Sequence, residues 1–169
     1  MHRALLGLGG IAATATMVAA GALSANAADD TGSTDGHVEV STAISLTGLT
    51  SAFTLSGAPG DTITGTGAVD FNVRTNNISG YTVTVQAATA TLVAATSGNT
   101  DSIPIGALSV REGTNVFVPL SNTSSVTVHD QDTESAELGD ALTNDYRVVI
   151  PFVNSDTYTV TINYIASTQ

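Results

Sequence analysis

Two runs near the middle of the chain set its hydrophobic pattern. Val69, Phe71 and Val73 alternate with Asp70, Asn72 and Arg74, and Tyr81, Val83 and Val85 alternate with Thr82, Thr84 and Gln86. Alternation with period two marks a strand that buries one face. The linker Asn76-Asn77-Ile78-Ser79-Gly80 is rich in turn formers. The stretch Ala68–Ala87 therefore predicts one antiparallel hairpin with an apolar inner face and a polar outer face.

The same alternation predicts a first strand over His37–Leu46, where Val38, Val40, Ile44 and Leu46 fall in phase. A short strand is expected at Phe53–Ser56, then a turn at Gly57–Asp61 and a Thr/Gly-rich edge strand at Thr62–Gly67. Further strands are expected at Ala90–Ala95 and at Ile103–Ile105, where Pro104 suits an edge. Leu108–Glu112 and Asn115–Leu120 read as a hairpin around Gly113-Thr114, and Ser125–Val128 as a short strand. Tyr146–Val153 and Thr157–Ala166 read as a last hairpin joined by Asn154–Asp156. His129–Asp145 is the long polar segment, with a helical turn or two expected over Ser135–Leu142. Roughly eight to ten short strands without a long amphipathic helix indicate an all-β fold, an antiparallel β-sandwich of immunoglobulin-like or jelly-roll topology. Tyr81–Val85 and Tyr158–Ile162 repeat one pattern, read as two core strands converging on the same β-favouring composition, with internal duplication as the minor reading.

The start of the chain has a different character. Arg3, the apolar stretch Ala4–Leu23 and the small-x-small site Ala25-Asn26-Ala27 predict a signal peptide over residues 1–27, cleaved after Ala27. Its glycines and threonines argue against a membrane anchor, so no membrane span is expected in the mature chain. Residues 28–36 are small, polar and acidic, and read as a flexible leader, or as an arm that orders on a neighbouring subunit. Residues 37–169 are then a single domain, large enough for a core without staples. The chain has no cysteine, unlike most small secreted animal domains, which favours a bacterial exporter.

Charge narrows the partners. Four basic residues face fifteen acidic ones for a net −11, and lysine is absent. Nucleic acid and anionic lipid need clustered Lys or Arg, so no nucleic-acid partner is expected. Cations are the natural small partners of such a surface.

The candidate chemistry lies in the acidic segment. Asp130, Asp132, Glu134, Glu137, Asp140 and Asp145 fall within sixteen residues with no intervening base; Asp-x-Asp-x-Glu places oxygen ligands on alternate residues, as a calcium loop does, and the first five are the candidate ligands. The segment departs from the EF-hand at Ser135, where glycine is needed, and at Ala141, where a bidentate glutamate is needed. The competing reading is a solvated acidic loop. His37 and His129, the histidines beyond the signal peptide, read as surface residues at strand ends. No Gly-x-Ser-x-Gly elbow or metalloprotease His-Glu pair occurs, and acid–base groups are few, so no enzyme is expected. Sugar binding by aromatic platforms lacks tryptophan; of the four tyrosines, Tyr146 reads as the freest. The outward threonine rows suit solvent-facing β structure, with ordering of water or ice as the minor reading.

Pro59-Gly60-Asp61, then Phe71-Asn72-Val73 and Asn76-Asn77 ahead of Gly80-Tyr81, resemble secreted bacterial surface β-sandwiches: camelysin-type biofilm-fibre subunits and WxL-type wall proteins. The likeness spans Phe53–Ala87, and the Trp-x-Leu of the wall-binding family is missing. It implies a surface or matrix role. The expectation is a non-catalytic, secreted structural or interaction protein of a bacterial cell surface, spore coat or extracellular matrix. It is extracellular or cell-surface associated, and its partners are itself or wall and matrix components. The alternative is a soluble calcium- or carbohydrate-binding module.

Overall fold

The computed structural model describes residues 29–169; the expected signal peptide lies outside them. Residues 29–38 carry no secondary structure and are exposed, and Glu39–Gln169 forms a compact unit by itself.

That unit is an all-β sandwich in which every strand pairing is antiparallel. Its strands are β1 (Ile44–Thr47), β2 (Thr62–Thr75), β3 (Tyr81–Ala87), β4 (Thr91–Ala94), β5 (Ser102–Pro104), β6 (Leu108–Glu112), β7 (Val118–Pro119), β8 (Val126–Gln131), β9 (Asp140–Val149), β10 (Tyr158–Thr159) and β11 (Ile162–Thr168). One sheet has the order β1-β2-β9-β6-β7; the others are β11-β3-β8 and β10-β4-β5. A single 3₁₀ turn at Ile105–Ala107 is the only helical element among the described residues. No helix among them is long and apolar enough to cross a membrane.

The alternation read from the sequence gives the correct faces. Val69, Phe71 and Val73 on β2 and Tyr81, Val83, Val85 and Ala87 on β3 are buried in one core, with Val110, Tyr146 and Val148. Burying each large apolar side chain contributes about 1.5–3 kcal/mol. The expected hairpin, however, is an arch. β2 pairs with β1 and β9, whereas β3 pairs with β11 and β8, so the two runs lie in different sheets. Hairpin and arch give the same alternation; they differ only in whether the inner faces lie side by side or opposite each other. Gly80 N–H closes the turn on Asn77 O at 3.0 Å, and the Asn77 side-chain amide donates to Gly80 O at 2.8 Å. The expected last hairpin fails in the same way: β9 belongs to the five-stranded sheet, while β10 and β11 pair with β4 and β3.

Four local expectations also change. The first strand begins at Ile44 rather than His37, because its neighbour β2 ends at Thr75, opposite Ile44. The Asn76 side chain then accepts from Ala43 N–H at 2.7 Å and donates to Ser41 O at 3.0 Å, replacing the next ladder rung. Phe53–Ser56 is not a strand: Phe53 and Leu55 turn inward, but the backbone of residues 51–57 makes no hydrogen bond among the described residues. Ser135–Leu142 has no helical turn, since a tight turn ending at Gly139 leads directly into β9. The Thr/Gly-rich stretch Thr62–Gly67 is the first half of β2, set off from the rest by a register shift between Gly65 and Val69.

Candidate functional site

The polar groups of the acidic segment meet the sandwich where β8 and β3 face β9 and β6. Tyr81 on β3 donates its hydroxyl to Asp140 Oδ2 on β9 at 2.8 Å. Asp140 also accepts from Ala136 N–H at 3.0 Å and from the Gln131 side-chain amide at 3.2 Å. His129 on β8 bonds through Nδ1 to Glu112 Oε1 on β6 at 2.7 Å, and its ring lies 5.2 Å from that of Tyr81. Both bonds run from one layer to the other, so this cluster clasps the sandwich.

The electrostatics fit a clasp. Burial raises the Asp140 carboxyl, but the hydrogen bonds from Ala136, Tyr81 and Gln131, with the nearby His129, outweigh it and hold the group below the usual carboxylate range. Burial first, then the bond to Asp140 and the charges of Asp140 and Glu112, push the Tyr81 phenol well above its ordinary value.

Of the five expected calcium ligands, only Asp140 enters this cluster, and its oxygens are spent on protein donors. Asp130 accepts from the Gln169 side-chain amide, while Asp132, Glu134 and Glu137 are exposed. Among the described residues, no three acidic or histidine side chains gather closely enough to share a metal ion. Alternate ligands meet only where a loop wraps them around one point; here Asp130 stays on β8, which ends at Gln131, and the exposed Asp132 and Glu134 lie beyond it without converging on Asp140.

The histidines separate. His37 is exposed, as expected of a surface residue. His129 is not: its side chain is 14% exposed, and its Nε2 is buried without a hydrogen-bond partner among the described residues. A histidine base needs that nitrogen open to a substrate, and here it is closed off. Its partner Glu112 went unremarked in the sequence, where it shows only as the last residue of a strand.

A second polar centre lies on β9. Asp145 is buried, accepts from Gly67 N–H at 2.8 Å and pairs with Arg111 at 2.9 Å. The guanidinium groups of Arg111 and Arg147 lie 4.4 and 4.2 Å from the centre of the Phe117 ring, which each meets as a cation over an aromatic face.

An open cleft of about 950 Å³ runs beside Leu49–Pro59 and Val153–Tyr164. Tyr146 lines it and, against expectation, is 0% exposed. Its ring lies 4.5 Å from Phe53, and its hydroxyl meets that of Tyr164 at 2.8 Å; Tyr164 in turn donates to Asn144 Oδ1 at 3.0 Å. Burial pushes the Tyr146 phenol up to about 12, partly offset by the Tyr164 bond. Tyr158 is half-buried, with its hydroxyl on Asn154 O at 2.8 Å. Each of these hydroxyls is thus engaged within the protein.

No known protein family and no curated protein matches the chain. The class defined here is the fold: a cysteine-free, acidic, antiparallel β-sandwich.

Proposed function

We propose that this is an exported, non-catalytic structural or interaction protein of a bacterial cell surface, spore coat or extracellular matrix, able to assemble through its sheet edges. One observation carries the reading. The polar side chains of the first centre hold the two layers together and those of the second tie neighbouring strands of the five-stranded sheet, while a seven-residue edge strand, β11, has no strand partner on its far side among the described residues. Unpaired edge groups template further strands, which is a route to assembly that needs no catalytic group. The export signal read at residues 1–27 supports the location, and the net charge of −11 supports partners other than nucleic acid.

Cell fractionation tests this. Antibody against the protein should detect it with the wall or with insoluble matrix, and only in part in the medium. Recovery solely as a free monomer in the medium would end the proposal. Saturable micromolar sugar binding on a glycan array would replace it with a carbohydrate-binding module.

A further inference from the structure

The two long sides of the open cleft are fastened very differently. On one side, Asn154 N–H donates to Asp101 Oδ2 at 2.8 Å, and the Tyr158 hydroxyl donates to Asn154 O at 2.8 Å. Ala95 N–H donates to Thr157 O at 2.9 Å, and Asp156 accepts from the Asn99 side-chain amide at 2.8 Å. Backbone and side chains together pin this wall to the loop that follows β4. On the other side, the backbone of residues 51–57 makes no hydrogen bond among the described residues.

The ends of that second wall are clamped. Thr50 N–H donates to Asp70 O and Asp70 N–H donates to Thr50 Oγ1, both at 2.9 Å. Ala58 N–H donates to Asp61 Oδ2 at 2.8 Å, and Gly60 N–H donates to Ile150 O at 2.8 Å. Between the clamps two side chains seat the segment: Phe53 lies on the Tyr146 ring, and Leu55 lies over Gly65. A Cβ at position 65 would fall 2.8 Å from Leu55 Cδ2, so Leu55 fills the space that a side chain there would need.

We infer that Ser51–Gly57 is the movable wall of the cleft, a flap that swings outward as a unit about Thr50 and Ala58 while the pinned wall stays. Lifting it breaks no backbone hydrogen bond, and both seated side chains are half-buried. Opening therefore gives up two partial burials, whereas global unfolding gives up the whole core, which puts the flap at the low-stability end of the molecule. An open population of about 0.1–10% is ordinary for such a two-state element. Opening uncovers Val69 and Tyr146, which line the cleft and are 3% and 0% exposed when the flap is seated. The flap gives this fold a transient apolar surface, and it stands independently of assembly through sheet edges.

The chain has no cysteine, so one introduced thiol reports opening by itself. Val69→Cys lines the cleft; Val85→Cys, on β3, is as deeply buried and does not. Each variant is labelled with N-ethylmaleimide, which is uncharged, and its rate is set against the one that its own global stability in urea predicts. Val85→Cys should label at that global rate, and Val69→Cys about a hundredfold faster or more. Dilute urea should hardly alter the Val69→Cys rate, because flap opening exposes little surface, and should steeply raise that of Val85→Cys. Adding Gly65→Ala unseats Leu55 and should speed Val69→Cys labelling about tenfold while leaving Val85→Cys within about twofold. Phe53→Ala should act in the same direction. Labelling of Val69→Cys at its global rate would overturn the inference, as would equal urea dependence at the two positions or a Gly65→Ala change that speeds both equally.

Discussion

Gly80 shows how much a single position contributes when the chain passes from one layer to the other. Its φ is +91°, and a Cβ built there would lie 1.8 Å from the carbonyl oxygen of Gln131. That oxygen is backbone on β8 and cannot swing aside as a side-chain tip would. Gly98 has the same φ of +91° but nothing within 4 Å of its Cβ. The two glycines therefore separate backbone strain from collision. Gly98→Ala should cost about 1–2 kcal/mol, the penalty of a left-handed conformation with a side chain. Gly80→Ala should cost about 3 kcal/mol or more, because β3 and β8 must part to admit the methyl group. Urea denaturation of both variants measures the difference, and equal losses would show that the arch yields without strain.

At the level of elements, the segment Ser51–Gly57 is the part of the sandwich held by side chains alone. Phe53 lies on Tyr146, and Leu55 packs against the core, yet no backbone hydrogen bond fastens the segment among the described residues. Its flanks are tied: Thr50 N–H to Asp70 O at 2.9 Å, and Gly60 N–H to Ile150 O at 2.8 Å. Amide hydrogens of residues 51–57 should exchange rapidly while those of the neighbouring β2 and β9 stay protected. Phe53→Ala should cost about 2 kcal/mol, below the range for a fully buried ring because Phe53 is half-buried. Slow exchange across residues 51–57 would mean that the segment is laddered after all. This segment also shows what a single sequence conveys. Phe53-Thr54-Leu55-Ser56 alternates like a strand and does direct alternate residues inward, but alternation reports burial and says nothing about hydrogen-bond partners. For the same reason the inward residues of β2 and β3 were legible while their assignment to different sheets was not. The clasp was less legible still: Tyr81 and Asp140, or His129 and Glu112, are far apart along the chain and meet only once the layers are stacked. Their roles depend on contacts that carry no local pattern.

Across the whole molecule, buried phenols set the alkaline limit of stability. Tyr81 and Tyr146 are fully buried, Tyr164 is half-buried, and burial is the leading cause of each upward shift, to about 12 for Tyr146. In the unfolded chain each phenol titrates near pH 10. Below that pH both states hold the protons, and the contribution to stability is complete. Between pH 10 and 12 the unfolded chain releases protons that the folded chain keeps, so stability falls as pH rises. With three such groups the slope approaches about 4 kcal/mol per pH unit once all are ionised in the unfolded state. Asp140 acts at the opposite end: its lowered pKa stabilises the fold above the ordinary carboxylate range, and that contribution is lost as pH falls through the folded value. Stability should therefore be level through neutral pH and decline on both sides. Urea midpoints between pH 8 and 11.5 test the alkaline limb, and Tyr146→Phe should flatten it by removing one titrating group. A wild-type midpoint unchanged up to pH 11 would show that the phenols ionise without unfolding, and that the layers part enough to let water reach them.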